Sequence, residues 1–117
     1  MLVSILQAKI RYAVITESNS KYKGSITIDE DLMDELGVCE WQVCDVNSSA
    51  QDQYGGAPFR GRTYIIAGAR GTGCVEANGS LAYHLSKGDT VHINVYSLVD
   101  SESAKEHTPI IIETNKR

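Results

Sequence analysis

The apolar residues of this sequence mostly come in short, β-branched runs rather than at helical spacing. Ala13-Val14-Ile15-Thr16, Ser25-Ile26-Thr27-Ile28, Thr63-Tyr64-Ile65-Ile66 and Thr90-Val91-His92-Ile93-Asn94-Val95 are the clearest. Branching at Cβ stiffens χ1 and suits a pleated, half-buried surface, so each run reads as a strand. One convincing helix follows Asp29, which can cap it. Glu30 and Asp31 favour the positive end of the helix dipole, Leu32, Met33 and Leu36 form an apolar side, and Gly37 can stop it. Weaker helical turns are expected over Ser80–Leu85 and Asp100–Glu106, and Pro109 starts a last apolar run, Ile110-Ile111-Ile112. Many short strands, glycine-rich turns and a helix or two describe a mainly β fold, a small barrel with helical insertions. A barrel also removes exposed strand edges. The stretch Ser48–Phe59 is polar and glycine-rich and lies between two expected strands. A loop of that length is either functional or disordered.

At 117 residues and 42% hydrophobic content the chain suits one domain with a modest core. No run is long enough to cross a bilayer, and Met1-Leu2-Val3-Ser4-Ile5-Leu6-Gln7-Ala8-Lys9 lacks the order of a signal peptide, so a cytoplasmic protein without a membrane partner is expected. Cys39, Cys44 and Cys74 are odd in number and lack CxxC spacing, which indicates buried reduced thiols and no metal knuckle. The net charge is −4 with scattered Lys and Arg, which argues against nucleic acid as the partner.

Gly24-Ser25 carries the most chemistry. A serine after a flexible glycine can attack its own backbone, and glycine can hold a strained carbonyl within reach of the hydroxyl. By itself the pair is also a common turn dipeptide. Its company decides between these readings: Leu6-Gln7-Ala8-Lys9-Ile10, Tyr22-Lys23-Gly24-Ser25-Ile26-Thr27-Ile28-Asp29, Arg62-Thr63-Tyr64-Ile65, and Asn78-Gly79-Ser80-Leu81-Ala82 followed by Gly88-Asp89. In this order and spacing the four segments resemble the aspartate 1-decarboxylase family, pyruvoyl-dependent enzymes that make β-alanine for pantothenate synthesis. The resemblance runs from Met1 to about Val99.

The resemblance implies a six-stranded double-psi β-barrel over residues 1–117, usually a homotetramer, made as a proenzyme that cuts itself between Gly24 and Ser25 into residues 1–24 and 25–117. Ser25 would become a pyruvoyl group, whose ketone can form a Schiff base with L-aspartate and accept the electrons released with carbon dioxide. Thr63 matches the residue that stabilises the oxyanion of self-cleavage and binds substrate, and Tyr64 matches the proton donor. Arg60 matches the substrate arginine, with Arg62 a rival on the same face of an alternating strand. Lys9 matches a second cation, Asn78-Gly79-Ser80-Leu81 the turn that holds substrate and cofactor, and Tyr22 a hydrogen-bond partner near the cut. Without the family, Tyr64 is an aromatic filling a strand face, and Asn-Gly is a tight turn.

Some positions depart from the pattern. Arg11 and Tyr12 stand where histidine and a basic residue are usual, and arginine cannot shuttle protons near neutral pH. Processing would then be slower, use another group or need an activator protein. Gly61 replaces a frequent aromatic, and the 48–59 loop is longer than typical. Rival readings are a Cys–His or metal site from His84, His92, His107 and the cysteines, and an acid/base pair among Asp29, Glu30, Asp31, Asp34 and Glu35. The first lacks ligand spacing, and a solvated helix face explains the second better. The remaining alternative is a homologue that keeps the barrel but is unprocessed or non-enzymatic, acting as a binding protein.

Overall fold

The chain is described by a computed structural model over residues 1–49 and 58–116. Among the described residues there are eight strands: β1 (Leu2–Val14), β2 (Glu17–Asn19), β3 (Ser25–Asp29), β4 (Val43–Ser48), β5 (Arg60–Gly68), β6 (Val75–Asn78), β7 (Thr90–Asp100) and β8 (Ile110–Glu113). They form one sheet in the order β2-β6-β3-β5-β4-β7-β1-β8. Six of them make up the interior of that order, and the short β2 and β8 are added at its two ends. The β-branched runs all fall in strands or at their margins, as expected of the fold class.

The sheet is bent into a small barrel by its first segment. β1 pairs antiparallel with β7, and two residues later β2 pairs parallel with β6, so one continuous stretch serves both margins. The link is fixed where it turns: Thr16 N–H donates to the Val75 carbonyl at 2.8 Å, and Val75 N–H donates to Thr16 Oγ1 at 3.0 Å. Ile10, Ile15, Ile26, Ile28, Ile65, Val75 and Ile93 are buried in the enclosed core. Each strand alternates its branched residues toward that core, and their burial is the main driving force. The expected strand at Ala13–Thr16 is the end of a much longer one. β1 slips register between Leu6 and Ala8 and between Ile10 and Ala13, and Tyr12 has φ 53, so its alternation is broken in the sequence.

The helix after Asp29 is α1 (Glu30–Leu36), with Gly37 ending it at φ 71. The other two helical segments differ from expectation. Residues Gly79–Tyr83 form a 3-10 turn, and α2 is a single turn, Ser101–Ala104. The acidic face of α1 is more than solvated: Arg70 Nη2 meets Glu30 at 2.9 Å, and its Nη1 meets Asp31 at 2.8 Å and Asp34 at 2.7 Å. Residues 50–57 of the long loop lie outside the described residues. Its ends are tied by Ser48 N–H to the Phe59 carbonyl at 2.8 Å and Phe59 N–H to Ser48 Oγ at 2.9 Å. Cys44 and Cys74 are buried free thiols as expected, whereas Cys39 is exposed. Among the described residues no helix is long and apolar enough to cross a membrane, and no group of His, Cys, Asp and Glu is arranged to hold a metal.

Asp29 joins the helix to the barrel. Its Oδ1 accepts from Asp31 N–H at 2.8 Å and Gly71 N–H at 3.2 Å, and its Oδ2 from Gly73 N–H at 2.7 Å. Burial pushes this carboxyl up, but the backbone donors outweigh it and hold it below its ordinary value. A carboxyl with a lowered folded pKa contributes stability above its unfolded pKa and loses it as pH falls through the folded one. Asp29→Ala should therefore lower the unfolding free energy near neutral pH by about 1–3 kcal/mol. Urea unfolding of both proteins should show the gap closing as pH drops below about 4.

Candidate functional site

The N-terminal end of β3 places Ser25 at the centre of the candidate site. Strand β3 is hydrogen-bonded on both sides, parallel to β5 and antiparallel to β6, and Ser25 faces Asn78 in the β6 register. Ser25 is 1% exposed and Asn78 4% exposed. The Asn78 side-chain amide donates to Ser25 Oγ at 2.9 Å and to Thr27 Oγ1 at 2.9 Å. Both amide protons are thereby used, and the serine oxygen is held in one place by a buried donor. A buried polar pair of this kind is costly to break because the remaining partner is left unsatisfied.

Gly24 and Ser25 open into different spaces. Gly24 lines a cavity of about 220 Å³ with Phe59, Gly61, Arg62, Thr63, Asn78, Ser80, Leu81 and His84. Ser25 lines a second cavity, about 430 Å³, with Lys21, Tyr22, Lys23, Trp41, Tyr64 and Ile66. Thr63 and Tyr64 divide in the same way, as neighbours in a strand must. The bond between Gly24 and Ser25 thus passes from one cavity to the other.

Glycine at position 24 does not adopt the left-handed backbone that favours glycine. Its φ lies outside that region, and a Cβ added to it would meet nothing within 4 Å. The constraint sits on the facing residue. Gly79 has φ +65, and a Cβ there would lie 2.7 Å from both the Cα and the N of Gly24 and 3.0 Å from the Tyr22 carbonyl oxygen. Asn78-Gly79 is accordingly no hairpin turn: Asn78 ends β6, and Gly79 begins the 3-10 segment pressed against Gly24.

The two arginines share one acid. Arg62 lies opposite Asp45 in the β4–β5 register, and its Nε donates to Asp45 Oδ1 at 2.9 Å. Arg60 Nη2 is 3.7 Å from Asp45 Oδ2, with its side chain 74% exposed. The hydrogen bond from Arg62 holds the buried Asp45 carboxyl below the usual carboxylate range against the effect of burial. Arg62 lines the Gly24 cavity, and Arg60 does not. Lys9 lies on β1 opposite Asn94, lines neither cavity, and acts with Arg11 on His92, whose pKa is lowered first by burial and then by these cations. Arg11 is engaged by Glu113 on β8 at 3.1 Å.

The structure thus gathers Gly24, Thr63, Asn78, Ser80 and Leu81 on one side and Tyr22, Ser25 and Tyr64 on the other, with Gly79 between and Lys9 and Arg60 apart. It adds residues that sequence reasoning missed or assigned elsewhere. His84, considered above only as a metal or cysteine partner, stacks on Phe59 with ring centroids 4.8 Å apart and an interplanar angle of 17°. Gly61 makes room for that ring, since a Cβ there would lie 2.6 Å from Phe59 Cζ. A departure at one position and an aromatic two residues earlier are therefore one packing solution. Trp41 stacks on Tyr64 from a turn that carried no signal of its own.

The fold is mainly β, with a buried serine at the N-terminal end of β3 and no metal cluster among the described residues. The match to the family described as aspartate decarboxylase extends over residues 1–117, and the chain belongs to that family. It is similar to the aspartate 1-decarboxylase of Caldicellulosiruptor saccharolyticus, 40% identical over 115 residues covering 96% of this chain and 83% of the relative. The aspartate 1-decarboxylase of Phocaeicola vulgatus is 38% identical over 112 residues, 96% of this chain and 91% of that one. That of Exiguobacterium sibiricum is 41% identical over 109 residues, covering 93% and 81%.

The close approach at Gly79 has a direct test. Gly79→Ala adds a methyl where backbone of Gly24 already lies and strains a left-handed φ. It should destabilise the protein by about 1–3 kcal/mol, read by urea unfolding, whereas Gly24→Ala should cost less than half of that.

Proposed function

We propose that the chain cuts its own Gly24–Ser25 bond and then decarboxylates L-aspartate to β-alanine and carbon dioxide, the β-alanine serving pantothenate synthesis in the cytoplasm. The observation that carries this is the Ser25 hydroxyl, buried and held by Asn78 at 2.9 Å, beside a bond that spans two cavities. Ser25 Oγ attacks the Gly24 carbonyl carbon, and the amide becomes an ester as the serine nitrogen takes the proton. Thr63 shares the Gly24 cavity and is the hydroxyl donor available to the oxyanion. Elimination across Ser25 then frees the Gly24 carboxylate, and the dehydroalanine left behind takes up water and loses ammonia.

The residues around Ser25 fit the resulting pyruvoyl group: Asn78 supplies an amide donor already aimed at this side chain, and Tyr22 and Tyr64 line the space in front of it. That group would supply the ketone that accepts electrons as carbon dioxide leaves. Tyr64 donates the proton at the former α-carbon. Arg60 takes a substrate carboxylate. Its guanidinium is exposed and only loosely drawn to Asp45, so it is freer to turn than Arg62, which is committed at 2.9 Å. Ser80 and Leu81 line the Gly24 side, next to the bond to be cut.

Lys9 lies outside both cavities of its own chain, so its part as an orienting cation requires a neighbouring copy. A homotetramer supplies one and would also cover Leu2 and Leu98, which are 65% and 66% exposed on the paired β1 and β7. With Arg11 held by Glu113, self-cleavage proceeds without a proton shuttle at that position, which leaves room for an activator protein as a processing partner.

Incubation with L-aspartate should yield equal amounts of β-alanine and carbon dioxide. Ser25→Ala should abolish both cleavage and turnover, and turnover by that variant would refute the mechanism. Tyr64→Phe should leave the bond cut while slowing kcat by about 10²-fold or more.

A further inference from the structure

Trp41 is an expensive residue for its turn. It has φ 74, a backbone conformation that strains any bulky side chain, and the residue is 68% exposed, so it gains little from burial. Glycine or asparagine would take the same turn with less strain. What the ring does instead is lie on Tyr64, with centroids 5.7 Å apart and planes inclined by 26°. The turn is fastened to the strand beside that tyrosine: Trp41 N–H donates to the Ile65 carbonyl at 2.8 Å, and Ile65 N–H donates to the Gln42 carbonyl at 3.0 Å. Both rings line the cavity that contains Ser25.

We propose that Trp41 is a positioning residue for the reaction, acting through Tyr64. The inference rests on Tyr64 as the proton donor. Tyr64 is half-buried, and with one face uncovered its ring is free to swing away from Ser25. The indole occupies that face and confines the phenol to the cavity. Two backbone hydrogen bonds to the adjacent residue keep the indole in register, so the strain at Trp41 is retained at the site where it orders the donor. The residue touches no reacting atom by this account and should affect the proton-transfer step without binding substrate.

The test uses the full chain with the variants Trp41→Ala, Trp41→Phe, Tyr64→Phe and the Trp41→Ala/Tyr64→Phe double. Trp41→Ala should be cut at Gly24–Ser25 like the parent, lose about tenfold in kcat, and keep KM within about twofold. Trp41→Phe should recover most of the loss. In the Tyr64→Phe background, Trp41→Ala should cost almost nothing further, because the group it positions is already gone. The proposal is overturned if Trp41→Ala leaves kcat unchanged, if the loss falls on KM, or if the loss is as large without the Tyr64 hydroxyl as with it. A Tyr64→Phe variant with parental kcat would instead refute Tyr64 as donor, and this inference with it. Trp41 is the only tryptophan, so its emission reads the stack directly in the wild-type protein. Tyr64→Leu should shift that emission, and an unchanged spectrum would also overturn the proposal.

Discussion

Strand β3 is held on both sides, parallel to β5 and antiparallel to β6, and the rest of the molecule is arranged around those five residues. Double pairing satisfies their backbone groups inside the protein and leaves the strand no freedom to slide. Ile26 and Ile28 are fully buried in the core, which fixes which residues face out of it. At one end Asp29 caps α1 and gathers the N–H groups of Gly71 and Gly73; at the other, Ser25 meets Asn78. The same short strand thus anchors the helix and presents the serine. Barrel closure by residues 2–19 adds the second constraint, since it brings β2 beside β6 and seats Asn78 and Gly79 against residues 24 and 25.

From this geometry follows a division of labour at the site. Alternation along β3 and β5 sends Gly24 and Thr63 to one cavity and Ser25 and Tyr64 to the other. The groups proposed for the cleavage oxyanion and for the later proton transfer, Thr63 and Tyr64, are adjacent in sequence and open into different cavities. A single backbone bond connects the two chemistries. Asn78 reaches Ser25 from the neighbouring strand, and Gly79, not Gly24, takes the left-handed φ where the two approach closely.

Much of this was legible in the amino-acid order. The β-branched runs marked the strands because a barrel buries one face of each, and the signals at Asp29 and Gly37 marked α1 because capping is local chemistry. The family could be read because its short motifs keep their order and spacing. The length of β1 could not, since two register shifts and a left-handed Tyr12 interrupt its alternation. Nor could the competition for Asp45, which depends on cross-strand register: the sequence favoured Arg60 for substrate without showing that Arg62 and Arg60 approach the same buried acid. Trp41 and Phe59 carry no site signal in the sequence, and His84 reads there only as a metal or cysteine partner, for a similar reason. Each sits outside the motifs, and only the folded chain stacks the first on Tyr64 and the other two on each other above Gly61.

The proposed function depends on the fate of one bond, and the mass of the denatured, purified chain reads it most directly. Two species are predicted, residues 1–24 and residues 25–117, the larger lighter by one ammonia than a fragment beginning with serine. A single intact chain that survives prolonged warming and incubation with cell extract would contradict self-cleavage and the function built on it.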